Sequence, residues 1–168
     1  SNRVFGHQDA HLANLMNEAV TRGLPDIAVS ADVGRLLMIL TSMTRGTLAV
    51  EVGTLGGYSG IWIARGLPKG GKLITVEPEK LHADFAAEQF KRAGVADRVH
   101  VAPGDPFLLE GRDLFGPDVP QEQALSDRVH ECFASHRGIG LVLCEFADRF
   151  PGQEIFLLGG EEFGTVDG

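Results

Sequence analysis

Leu48-Ala49-Val50-Glu51-Val52-Gly53-Thr54-Leu55-Gly56-Gly57-Tyr58-Ser59 decides how this chain is read. The apolar run Leu48-Ala49-Val50 predicts a buried strand, which ends in an acid and a glycine-rich turn. Ile61-Trp62-Ile63-Ala64-Arg65 follows with the pattern of a helix. Strand, Gly-rich turn and helix together suit a nucleotide-like ligand, because free N–H groups at the helix N-terminus point at it. Glycine in the turn lets the backbone approach that ligand closely.

A dinucleotide fits this stretch poorly. Gly53 is followed by Thr54 and Leu55 before the next glycine, so the spacing G-x-G-x-x-G is absent. Glu51 at the strand end would repel a pyrophosphate and welcome a cationic ligand such as S-adenosylmethionine (SAM), with its ammonium and sulfonium. Lys72 to Val76 reads as the next strand, with Glu77 at its C-terminal end. A carboxylate there can accept hydrogen bonds from both ribose hydroxyls. Ser59 stands at the predicted helix N-terminus, where its hydroxyl and the local N–H groups suit the methionyl carboxylate.

The ordered set Glu51-Val52-Gly53-Thr54, Gly57-Tyr58-Ser59, Leu67-Pro68-Lys69-Gly70-Gly71, Thr75-Val76-Glu77-Pro78, Ala93-Gly94-Val95-Ala96-Asp97-Arg98-Val99 and Gly104-Asp105 resembles the class I SAM-dependent O-methyltransferases of the catechol and caffeoyl-CoA type. The resemblance covers residues 7 to 105 and fades beyond them. It implies an α/β, Rossmann-like methyltransferase fold: a mostly parallel sheet, helices on both faces, and a truncated or divergent C-terminal part. It also implies that Gly104, Asp105 and Pro106 frame the adenine. The expected cofactor-binding set is therefore Glu51, Val52, Gly53, Thr54, Gly57, Tyr58, Ser59, Glu77, Pro78, Gly104, Asp105 and Pro106.

Composition sets further bounds. The 168 residues suit one domain, divided into a helical cover (1–45), a SAM-binding half (46–105) and a divergent second half (106–168). A net charge of -8 argues against nucleic acid or an anionic membrane as partner. No apolar run approaches the ~20 residues of a membrane span, and the N-terminus lacks a signal-peptide pattern. Cys132 and Cys144, without a CxxC motif, read as free thiols in a reducing, cytoplasmic compartment. The charge is unevenly spread. Residues 1–104 carry 11 Lys+Arg and 10 Asp+Glu, whereas residues 105–168 carry 4 and 13. The composition thus changes where the resemblance fades. A divergent second half, a replacement, and a shifted reading frame all fit that change.

Along the chain, Asp9 caps a first helix to about Arg22, ended by Gly23-Leu24-Pro25. Residues 26–29 read as an extended connector. Ser30 caps a second helix to about Met43, whose Leu36, Leu37, Ile39 and Leu40 require apolar partners. Strand 48–52, helix 58–66, strand 72–77, helix 79–93 and strand 98–102 follow. The apolar stripe of helix 79–93 is Leu81, Phe85, Ala86, Phe90 and Ala93, with Gly94 at C′. This alternation predicts a parallel sheet with right-handed crossovers. Beyond it, 106–120 reads as loop, 121–135 as helix, 139–146 as strand and 154–158 as a short strand.

The resembling family holds Mg²⁺ or another divalent cation through carboxylates and an Asn amide. Here Leu141-Val142-Leu143-Cys144-Glu145 is the nearest match, so Glu145 is the candidate metal ligand, with Asp148 as second acid after a one-residue shift. Arg149 cannot replace the family's base lysine, and the completing Asp-Asn pair has no counterpart. The catalytic residues stay unassigned. The six histidines form no metal-binding pattern. The expected function is methyl transfer from SAM to a hydroxyl of a small, catechol-like acceptor, by a homodimer that covers an otherwise open sheet edge. Two alternatives stand beside it: a catalytically impaired SAM-binding protein, and a nucleotide-dependent oxidoreductase.

Overall fold

A computed structural model of the chain describes residues 9–44 and 46–104, and the backbone of 141–145 and 154–159. In chain order these form α1 (Ala10–Thr21), α2 (Ala31–Met43), β1 (Leu48–Val52), α3 (Tyr58–Gly66), β2 (Lys72–Glu77), α4 (Lys80–Arg92), β3 (Val99–Pro103), β4 (Leu141–Glu145) and β5 (Glu154–Gly159). The sheet order is β3-β2-β1-β5-β4. β3, β2, β1 and β5 run parallel, and β4 is antiparallel to β5. This is a Rossmann-like α/β fold.

Local chemistry sets the helix ends. Asp9 accepts a hydrogen bond from the Leu12 N–H at 2.9 Å and so caps α1. α1 ends in a Schellman motif, with Leu24 N–H on the Ala19 carbonyl and Gly23 N–H on the Val20 carbonyl. α4 ends the same way, with Val95 N–H on Phe90 and Gly94 N–H on Lys91. Ser30 departs from expectation. It occupies the N-cap of α2, but its hydroxyl binds the Asp32 carboxylate, not a helix N–H.

Alternation along the strands separates two faces. Ala49 and Leu73 face a core built with Leu12 and Leu15 of α1, Ile61 and Trp62 of α3, and Phe85 and Phe90 of α4. Val52, Ile74, Val76 and Ala102 form a second buried cluster on the opposite face. α2 meets α3 through small residues. A Cβ on Gly66 would lie 2.4 Å from the Met38 carbonyl oxygen. Two apolar stripes are narrower than expected. Leu36 and Ile39 of α2 are exposed, because the close approach at Gly34 and Gly66 turns a different face of α2 inward, and Leu81 of α4 is exposed as well. No helix among the described residues is long and apolar enough to cross a membrane.

Candidate functional site

Parallel β1 and β2 end side by side, with Glu51 opposite Thr75 and Val52 opposite Val76. Their C-terminal ends open into a cavity of about 250 Å³. The turn after β1, the start of α3, the turn after β2 and the connector before α2 line it. Such a place, beyond the carboxyl ends of parallel strands, is where open α/β sheets bind ligands.

Glu77 organises the floor of this cavity. One carboxylate oxygen accepts the Thr54 N–H at 3.1 Å and the Leu55 N–H at 2.8 Å. The other accepts the Glu79 N–H at 3.0 Å and lies 3.4 Å from Nδ1 of His82. The side chain is buried, yet it borders the cavity. One carboxylate thus ties together the turns after β1 and β2. It also holds Leu55 at a φ of +47°, a left-handed conformation that costs a non-glycine residue roughly 1–2 kcal/mol. Gly53 enters the turn at φ +88°, its N–H on the Val76 carbonyl. Gly57, at φ +78°, is the N-cap of α3.

Glu51 lies behind this surface. It does not line the cavity but is buried on the helix-covered face of the sheet. Parity puts it there, two residues from Ala49 on the same face. Ser59 donates to one of its oxygens at 2.6 Å and Thr75 to the other at 2.7 Å. Thr75 in turn lies 2.6 Å from the Thr54 hydroxyl. Burial pushes the Glu51 carboxyl up to about 7, against the two hydroxyl hydrogen bonds, and the Glu77 carboxylate adds to the rise. Glu51 thus sits one hydroxyl back from the cavity, behind Ser59.

A model of the family described as "O-methyltransferase" matches residues 4–110. The chain belongs to the O-methyltransferase family. A catechol O-methyltransferase from Niastella koreensis is 39% identical over 101 residues, which make up 60% of this chain and 46% of that protein. A catechol O-methyltransferase from Mycobacterium tuberculosis is 43% identical over 96 residues, 57% of this chain and 44% of that protein. Among solved structures, the O-methyltransferase TomG from Streptomyces achromogenes, involved in tomaymycin synthesis and determined in complex with SAM, superposes with a TM-score of 0.59. It is 26% identical, over 85% of this chain and 86% of that one. The chain spans less than half the length of the two catechol O-methyltransferases.

Of the residues that sequence reading selected, Val52, Gly53, Thr54, Tyr58, Ser59, Glu77 and Pro78 line the cavity of this member of the O-methyltransferase family. Gly57 caps the helix beside it, and Gly104 donates its N–H to the Glu77 carbonyl at the end of β3. Asp105 and Pro106 lie outside the described residues, as do Asp148, Arg149, the predicted helix 121–135 and the loop 106–120. Glu145 is placed differently from expectation. Because β4 runs antiparallel to β5, Glu145 pairs with Glu154, one residue before Ile155 meets Leu48. That is the end of the sheet where β1 begins, away from the cavity. Among the described residues no group of three His, Cys, Asp or Glu is placed to hold a metal. The described residues therefore do not assemble a metal centre.

Leu55, Gly56 and Glu79 also line the cavity outside the expected set, and two further contributors stand out. His82 lines the cavity beside Glu77, one helical turn after Pro78. The signal was its position at the start of a helix that follows an acid-ended strand. Pro25, Ile27, Ala28 and Val29 form one wall of the cavity. Only the short, extended, apolar character of that connector hinted at it.

Proposed function

We propose that this chain binds SAM in the cavity above β1 and β2 and forms the cofactor-holding half of an O-methyltransferase acting on a small hydroxylated acceptor. The observation that carries this reading is the pairing of a cavity-lining helix N-terminus at Ser59 with a buried, cavity-bordering carboxylate at Glu77. Free N–H groups and a hydroxyl meet an anionic amino-acid end. A carboxylate with a face on the cavity meets ribose hydroxyls, at roughly 1.5–3 kcal/mol for a hydrogen bond to a charged group. When bound, SAM supplies an electrophilic methyl group. The chain's own residues position the ligand: Glu77 fixes the turns, Ile27 to Val29 cover one side, and Tyr58 adds an apolar wall. TomG, solved with SAM, supports the choice of ligand. Relatives named as catechol O-methyltransferases support a catechol-like acceptor.

A second reading is favoured by one observation, the register that puts Glu145 at the far end of the sheet. In this reading the protein binds SAM without transferring its methyl group. Incubation with SAM and catechol, with and without Mg²⁺, separates the two. Methylated catechol supports the transferase. Bound SAM that is never consumed supports the second reading, and absence of SAM binding overturns both.

A further inference from the structure

Among the described residues, Ser59 is the one side-chain hydroxyl group that both lines the cavity and touches Glu51. Its single proton is donated to the Glu51 carboxylate. Thr75 spends its proton on the other carboxylate oxygen, and Thr54 stands 2.6 Å behind Thr75. An ionised carboxylate only accepts hydrogen bonds, so every hydroxyl proton at Glu51 points inward. In that state Ser59 offers the cavity lone pairs alone. A ligand carboxylate arriving at the start of α3 would meet those lone pairs, with a second carboxylate directly behind them.

We propose that an anionic group binding at the α3 N-terminus is accompanied by uptake of one proton onto Glu51, which releases the Ser59 hydroxyl to donate to the ligand. The exchange balances. One proton leaves the buffer and bonds to the Glu51 oxygen nearest Ser59. The new O–H donates to the Ser59 oxygen. The Ser59 O–H turns from Glu51 to the ligand carboxylate, while Thr75 keeps its bond to the other oxygen. Glu51 is thus a positioning residue, acting on the ligand through Ser59. The ligand class is an amino-acid end of the kind SAM carries, an assignment that rests on the function proposed above.

The surroundings suit a group that changes protonation. Glu51 is 3% exposed. Among the described residues the charge acting on it is negative, the Glu77 carboxylate of β2. From α3 come Ser59, Tyr58 at the cavity wall, and Arg65, which pairs with Asp9 at 2.6 Å. From α4 come the Phe90 ring, close to the same Gly60 position as Glu51, and His82, which sits on Glu77. His100 of β3 pairs in register with Ile74 on the opposite face. Burial already holds the free carboxyl near neutrality, so a modest further push from an anion suffices to load the proton.

The test is calorimetric titration with S-adenosylhomocysteine, which has the amino-acid end, and with 5′-methylthioadenosine, which lacks it. Each is run in phosphate and in Tris, buffers of different ionisation enthalpy. At a pH of about 7.5, S-adenosylhomocysteine is expected to draw between a half and one proton from the buffer, and 5′-methylthioadenosine none; the affinity for S-adenosylhomocysteine should fall toward tenfold per pH unit above about 7, and that for 5′-methylthioadenosine should stay level. Glu51→Gln keeps a donor for Ser59 and an acceptor for Thr75, and should bind with no proton uptake and no pH dependence. Binding of S-adenosylhomocysteine by wild-type protein without proton uptake overturns the coupling and leaves the site reading intact. So does equal uptake by both compounds. No binding of either overturns the site reading and the coupling together. The wild-type comparison stands whether or not Glu51→Gln folds.

Discussion

Glu77→Ala tests whether one carboxylate both holds the site and meets the ligand. The carboxylate accepts three backbone N–H groups, from Thr54, Leu55 and Glu79. Removing it leaves all three without their acceptor. Each buried donor so stranded costs about 1–3 kcal/mol. The cavity admits water to this place, so the low end applies and the total is about 3 kcal/mol. For a chain of this size each kcal/mol shifts Tm by about 2–4 °C. The expected loss is therefore roughly 6–12 °C by thermal unfolding. SAM loses a charged acceptor worth roughly 1.5–3 kcal/mol, which is about a 10- to 100-fold rise in Kd. The variant therefore does not leave the fold untouched, as a ribose-only role would require. Glu77→Gln keeps the volume and one carbonyl, and should lose less than half as much Tm. A Glu77→Ala protein melting within about 2 °C of wild type would refute the claim that this carboxylate ties the turns. An unchanged Kd would refute its place at the ligand.

Glu51 carries a stability prediction of its own. Its folded carboxyl is raised to about 7 from an ordinary value of 4.5, so the folded state binds its proton more tightly than the unfolded state. The contribution is fully present below about 4.5 and is lost as pH rises to about 7, by about 3 kcal/mol. Glu51→Gln should remove that loss, so its Tm advantage over wild type should be absent near pH 4.5, grow as pH rises to about 7 and level off above it; a constant difference across this range would show that the residue does not titrate within it. Gly66→Ala drives a Cβ to 2.4 Å from the Met38 carbonyl oxygen, a backbone atom that cannot rotate aside. It should cost about 3 kcal/mol or more in a denaturant melt, and a wild-type midpoint would mean that α2 and α3 are not packed this closely. Asp9→Ala removes the α1 cap and the Arg65 ion pair, for about 1 kcal/mol of stability with SAM affinity unchanged. A large affinity loss there would place α1 nearer the ligand than its cap geometry does.

Much of the architecture was legible because local signals agreed. Asp9, Gly23 and Gly94 each carry a side chain or a backbone freedom that ends a helix, and the observed ends fall within a residue of the expected ones. The strands 48–52 and 72–77 were equally clear, since apolar runs carrying one acid near the C-terminal end and bounded by glycine or proline leave few alternatives. Glu51 was harder. Its type suggests solvent or a cation, while its parity with Ala49 says core, and parity prevails because strand alternation is fixed once Ala49 is buried. The wall at Ile27 to Val29 and the place of His82 depend on how the connector and α4 return to the sheet, which no short spacing encodes. Leu36 and Ile39 looked like core because helical periodicity counts apolar residues on every face. Gly34 and Gly66 decide which face is buried, by letting α2 and α3 approach. Glu145 was placed by analogy with a parallel strand, whereas β4 pairs antiparallel with β5, which reverses the end at which its last residue lies.

The central claim is that the cavity above β1 and β2 is a SAM site. Its most direct test is the dissociation constant for SAM, measured by calorimetry with NAD as the competing titrant. One SAM should bind per chain with Kd below about 1 mM, unaffected by excess NAD. No heat from SAM at that concentration, or displacement of SAM by NAD, would contradict it.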